Sequence, residues 1–140
     1  MGDIIVEVSR RPLHDRERAI LLPDLERRGI AAGLLDVLPP DGRFFHLLRA
    51  LDGSGQLLGV TSLMSFRPFV SIKQLLGEGN HVGWDTSMYF ASDIDRPTVA
   101  GALLRAIAAR SVYYAMYFGQ IDDDVRAALP TVRHRLLQTD

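Results

Sequence analysis

Apolar positions recur along this chain with two periods, and the switches between them mark out its elements. Ile4 to Val8 is short, β-branched and flanked by polar residues, which predicts a first strand. Pro12 then opens a helical stretch, with Asp15 and Glu17 near its start, where the helix dipole favours acids. Pro23 is expected to interrupt that helix and Asp24 to cap a second one, carried by Leu25, Ile30, Leu34 and Leu35 and ended by Pro39-Pro40. Phe44 to Leu51 and Gln56 to Phe66 are apolar runs joined by Asp52-Gly53-Ser54-Gly55, a strong hairpin signal.

Arg67-Pro68 closes the second run. Phe69 to Leu76 reads either as more sheet after a bend or as a short helix, and Gly77 to Asn80 as a loop. Val82 to Ala91 predicts the next strand, carrying Trp84, Met88 and Tyr89. From Pro97 the period becomes helical: Val99, Leu103 and Ile107 stack at intervals of four beside Ala100, Leu104 and Ala108, with Asp95 or Ser92 as the cap. Val112 to Phe118 is almost wholly apolar, the pattern of a strand buried on both faces. Asp122-Asp123-Asp124 starts a last helix through Leu129, broken by Pro130, and Thr131 to Leu137 reads as one or two further basic turns. Strand, helices, hairpin, strand, helix, strand, helix is the order of a mixed α/β sheet.

Composition narrows the functional classes. The chain's 140 residues make about one domain, and 47% apolar with 24% charged residues fits a globular protein. A formal charge of −1 supplies no global field to recruit nucleic acid or an anionic membrane, and the early arginines (Arg10, Arg11, Arg16, Arg18, Arg27, Arg28) read as a solvated helix face. With no cysteine, disulfides, thiolate nucleophiles and cysteine-ligated metals are excluded. No secretory pattern and no apolar run near the ~20 residues of a membrane span are present. The expected setting is the cytoplasm.

The segment with most to say about a ligand is Trp84 to Arg110. A strand end passes through a short polar loop into a helix rich in small residues, which sets backbone N–H groups where an anion can bind. Ser92, Arg96 and Thr98 with the helix amides are the candidate anion site. Glu7, Asp85 and Asp93 lie near predicted strand ends, where a buried carboxylate can act as a general base. Tyr113, Tyr114 and Tyr117 occupy the apolar strand beyond the helix. His14, His46, His81 and His134 are too scattered for a metal site, and no metal is expected. Ser54 belongs to a hairpin turn and not to a strand-to-helix elbow, which argues against a serine hydrolase.

The element order, with Arg96-Pro97-Thr98-Val99-Ala100-Gly101 at the helix start, resembles the GNAT N-acyltransferase superfamily. The resemblance runs from about Ile4 to Gln120. In that family the strands before and after the helix splay, acyl-coenzyme A sits in the gap, and the pyrophosphate rests on a loop written R/Q-x-x-G-x-G/A. Arg96 and Gly101 match that loop, Val99 stands at its first glycine, and Pro97 removes one N–H. QLLGEGNHVGWDTSMYF followed by DRPTVAGALLRAI also looks like the N-terminal half of tandem-GNAT proteins related to peptidoglycan aminoacyltransferases, a half that has usually lost coenzyme A binding.

The resemblance implies one GNAT-like domain over 1–140, a mostly antiparallel central sheet with flanking helices, and C-terminal strands that are missing from the chain. It implies an N-acyltransferase that takes acetyl-coenzyme A or another acyl-coenzyme A as cofactor and a small-molecule amine as acceptor. Ser92, Arg96, Thr98, Val99, Ala100 and Gly101 would bind the cofactor. Glu7 or Asp85 would serve as base, and Tyr113 or Tyr114 as the acid that protonates the departing thiolate. A backbone N–H of the Val82–Ala91 strand would polarise the carbonyl. The alternative is a non-catalytic, degenerate half that pairs with a second GNAT-like domain or a homodimer partner, so that the apolar edge of 112–118 is covered.

Overall fold

Among the described residues four antiparallel strands form a sheet in the order β1-β2-β3-β4: β1 (Ile5–Ser9), β2 (Phe45–Leu51), β3 (Leu57–Met64) and β4 (Tyr89–Phe90). The structure, a computed structural model, describes residues 3–37, 45–64, 88–110 and 123–132. The expectations for Pro39-Pro40, for Phe69 to Ser87, for the strand Val112–Phe118 and for residues beyond Val132 lie outside these. Three α-helices accompany the sheet among the described residues: α1 (Asp15–Arg27), α2 (Arg96–Arg110) and α3 (Asp123–Ala128). Short 3₁₀ turns follow at Ala32–Val37 and Leu129–Thr131. The result is a mixed α/β arrangement with helices on both faces of an antiparallel sheet.

Alternation along β2 divides the core in two. Leu48 and Ala50 face α2 and α3, where they meet Phe90, Val99, Leu103 and Val125. Leu47 points the other way, into a cluster with Leu21 and Leu25 of α1, Val60 and Tyr89. On β3 the register slips: Ala50 lies opposite Gly59 but Leu51 opposite Leu57. Leu58 is the extra residue of a bulge, which lets Leu57 reach the α1 side while Leu58 joins the α2 side. Gly59 stands where there is no room for a side chain. A Cβ there would stand 3.0 Å from Val99 Cγ1 and 3.1 Å from both Phe90 Cδ1 and the Tyr89 carbonyl oxygen.

Helix α1 corrects three expectations. Pro12 lies outside it, because His14 is the N-cap: its Nδ1 accepts from the Glu17 N–H, and Glu17 Oε1 accepts from the His14 N–H, a capping box. Pro23 does not end the helix, and Asp24 is an interior residue and not a second cap. A proline removes one hydrogen bond and strains its own turn. Here Pro23 is solvent-exposed, while Leu21 and Leu25 on the inner face are fully buried and hold the helix through it. The true stop is Gly29, at φ +71°, with Gly29 N–H donating to the Glu26 carbonyl and Ile30 N–H to the Leu25 carbonyl.

The hairpin turn follows its sequence signal. Asp52 Oδ1 accepts from the Ser54 N–H, the Ser54 hydroxyl and the Gln56 N–H, and Gly55 takes φ +84°. The hydrogen bond from the Ser54 side chain, then that from the Gln56 backbone, hold the Asp52 carboxyl below its ordinary range. No helix among the described residues is long and apolar enough to cross a membrane.

Candidate functional site

The start of α2 is where sequence places the anion site, and its donors are already largely committed. Asp95 is the cap: its Oδ1 accepts from the Thr98 N–H at 3.3 Å and its Oδ2 from the Thr98 hydroxyl at 2.7 Å. Pro97 has no N–H to offer. Of the first three helical positions only Arg96 keeps a backbone donor outside these bonds. A carboxylate thus stands where a phosphate would have to sit.

The side chains that follow turn inward. Val99 and Ala100 are fully buried against the sheet, in the cluster with Leu48, Ala50 and Phe90. Gly101 is buried on the other side of the helix, where a Cβ would approach Arg105 Nη1 at 3.3 Å and Thr131 Oγ1 at 3.4 Å. Its lack of a side chain lets the Leu129–Thr131 turn close on α2. Arg96 is half-buried, and its Nε is buried without a hydrogen-bond partner. Ser92 and Thr98 are exposed.

Beside this helix start lies an open groove of about 500 Å³ between the β2–β3 turn and the loop leaving β4. Leu57, Leu58 and Ala91 form its floor, with Asp52, Ser54, Ser92 and Asp93 around it. Asp93 adopts φ +59°, a left-handed conformation that aspartate tolerates better than most residues. The groove therefore carries negative charge at its rim and none of the arginines.

Of the catalytic candidates, Glu7 and Asp93 lie among the described residues. Glu7 pairs across the sheet with Arg49 and makes an ion pair with Arg11 at 3.2 Å. That is the α1 face of the sheet, whereas α2 covers the opposite one, so Glu7 and the α2 start are not brought together. Asp85, Tyr113, Tyr114 and Tyr117 lie outside the described residues. In β4 the Phe90 N–H donates to Asp24 Oδ2 at 3.1 Å and the Ala91 N–H to the Leu58 carbonyl at 2.8 Å. Neither is left to polarise a carbonyl. Among the described residues no three histidine, aspartate or glutamate side chains gather as metal ligands.

Sequence reasoning missed two buried polar clusters. Arg49 is 0% exposed and donates to Glu17 Oε2 (2.7 Å), Ser9 Oγ (3.1 Å), and the carbonyls of Arg11 (3.0 Å) and Pro12 (2.8 Å). The signal was a lone cation at an inward position of an apolar strand, between Leu47 and Leu51. The second cluster joins Asp24, whose side chain is 1% exposed, to Arg27 and Arg28. Arg28 lies partly buried over the Tyr89 ring, 5.3 Å from its centroid, and so is not part of a solvated face. No protein-family model, curated protein or solved structure matches the chain.

Proposed function

We propose that this chain is a GNAT-like domain working as a non-catalytic half, one that pairs with a second domain or a second copy and does not transfer an acyl group. The order β1, α1, β2–β3 hairpin, β4, α2 supports the GNAT-like reading. The observation that carries the non-catalytic reading is the Asp95 carboxylate on the Thr98 amide, next to a proline without a donor. A pyrophosphate would meet like charge where it needs N–H groups. The packing of Val99 against Gly59 and the engagement of the Phe90 N–H by Asp24 point the same way. Ile5, 61% exposed on β1, is the one exposed large hydrophobic among the described residues and gives a pairing surface an apolar point.

One observation favours the second reading, an acyltransferase passing an acyl group from acyl-coenzyme A to an amine. The buried Nε of Arg96, at the first position of α2, lacks a partner, and an anion would supply it. Calorimetric titration with acetyl-coenzyme A separates the two. No saturable heat, together with a melting temperature that rises with protein concentration, is expected for the non-catalytic half. Saturable binding that Arg96→Ala abolishes would overturn it in favour of the enzyme.

A further inference from the structure

The cap of α1 is a group that a proton can disable. His14 Nδ1 accepts from the Glu17 N–H at 3.3 Å, and Glu17 Oε1 accepts from the His14 N–H at 3.1 Å. An imidazole nitrogen that accepts carries no hydrogen, so the neutral ring holds its hydrogen on Nε2. That nitrogen lies 3.4 Å from Glu17 Oε1, a neighbour that suits this tautomer. Serine, threonine and asparagine caps accept at any pH, whereas a protonated imidazole has two donors and no acceptor. Histidine is also the side chain that ordinarily changes charge near neutrality.

The charges around this box come from several elements. Arg49 of β2 donates to both Glu17 oxygens, and Arg11, from the crossing between β1 and α1, lies 3.5 Å from Glu17 Oε1. Glu7 of β1 is paired with Arg11. On α1, Arg18 pairs with Asp15 and donates to the Leu13 carbonyl, while Asp36 of the following 3₁₀ turn lies 3.7 Å from Arg18 Nε. Arg16 is exposed. The one carboxylate within reach of the His14 ring is therefore Glu17, and Arg49 holds it.

We propose that His14 is a proton-operated cap: a proton taken up on Nδ1 releases the Glu17 amide and opens the first turn of α1, while the Glu17–Arg49 bond beneath it stays closed. The proton comes from solvent, which reaches the ring because its side chain is 55% exposed. The new Nδ1–H then faces the Glu17 N–H, donor against donor, and a cation stands at the positive end of the helix dipole. The Glu17 carboxylate offers the imidazolium an ion pair instead, so the ring turns from the amide to the carboxylate. Glu17 is 7% exposed and its carboxyl is held low by Arg49, so it stays charged while His14 takes its proton. The proposal stands whichever reading of the α2 start is right.

Amide hydrogen exchange read by NMR on the 140-residue chain tests it, each rate divided by that of an unstructured peptide at the same pH. The shift of the His14 Cε1 proton locates the ring's own titration. Across that step the protection of the Glu17 amide should fall about fivefold, the ratio equivalent to one N-cap. The Leu21 amide, one turn further on, should keep its protection. In His14→Asn, whose side chain accepts at every pH, the same pH interval should leave Glu17 protection unchanged. Equal Glu17 protection on both sides of the His14 step overturns the proposal, and so does an equal fall in His14→Asn. The ring nitrogen shifts give a second reading above the step, where Nδ1 should be the nitrogen without hydrogen. The opposite tautomer would remove the cap on which the proposal rests.

Discussion

Arg49 Nε stands 2.7 Å from Glu17 Oε2, a buried bond that ties the middle of β2 to the first turn of α1. The guanidinium also binds the Arg11 and Pro12 carbonyls, so the crossing from β1 to α1 is wrapped around it. Removing one partner of a buried pair leaves the other charge uncompensated, which costs about 3–5 kcal/mol. Glu17→Gln should therefore destabilise the fold by several kcal/mol in urea unfolding, and also weaken the capping box with His14. Arg49→Met with Glu17→Gln should cost less than the sum of the single changes. Additive costs in that cycle would mean the two side chains do not act as a unit.

The same pair sets a pH dependence. Burial alone would raise the Glu17 carboxyl, but the hydrogen bond from Arg49, that from the His14 backbone and the nearby positive charges together hold it below its ordinary value of 4.5. A carboxyl depressed in the folded state contributes stability that is present above its unfolded value and is lost as pH falls through the folded one. Wild-type stability should fall more steeply than that of Glu17→Gln once the pH drops below about that unfolded value. Parallel stability curves for the two proteins in acid would contradict this.

Gly59 marks where α2 presses on the sheet. A methyl group there meets Val99 Cγ1 at 3.0 Å and a backbone carbonyl at 3.1 Å, and the carbonyl cannot rotate away. Gly59→Ala should lower stability by about 1–3 kcal/mol through overpacking. Gly101→Ala meets the movable end of Arg105 at 3.3 Å and Thr131 Oγ1, held by the Ala128 carbonyl, at 3.4 Å, while alanine favours a helix by about 1 kcal/mol. It should cost less than Gly59→Ala, because the helical gain offsets the crowding of the Leu129–Thr131 turn. Thermal unfolding of the two variants side by side reads the contrast, and equal shifts would show that the helix–sheet contact is looser than drawn.

How far the sequence revealed this fold depended on whether local signals had competitors. The turn at Asp52–Gly55 and the helix from Arg96 were legible because turn chemistry and a period of four stand alone there. Pro23 misled because its local penalty is overridden by Leu21 and Leu25, buried by strands far away in sequence. At the candidate site, the spacing of Arg96 and Gly101 was visible, but spacing does not say which side chain takes the helix amides. Asp95 does, and Gly101 serves the contact with Thr131. Arg49 and Asp24 were out of reach for a related reason: their partners lie 32 and 66 residues away.

Asp95 can be tested apart from any ligand. Asp95→Ala removes the acceptor of the Thr98 amide, and an N-cap lost to alanine costs about 1 kcal/mol. Asp95→Asn keeps an acceptor and should cost little, while it removes the charge that keeps anions from the α2 start. Inorganic pyrophosphate should then shift the Thr98 and Val99 amide resonances more in Asp95→Asn than in the wild type. Equal shifts in both would show that the carboxylate does not guard the site.

Pro23 gives the clearest stability prediction. It is the ninth residue of α1, and without an N–H it cannot complete the bond to the Ala19 carbonyl. An interior proline disfavours a helix by about 3 kcal/mol relative to alanine. Pro23 is exposed, so alanine there loses no core contact and leaves no cavity. Pro23→Ala should raise stability by about 1–3 kcal/mol, less whatever the more flexible unfolded chain takes back. The gain should appear as a higher urea midpoint with an unchanged slope. A lowered midpoint would mean that this turn, from which Asp24 and Arg28 reach Phe90 and Met88, depends on proline's fixed φ.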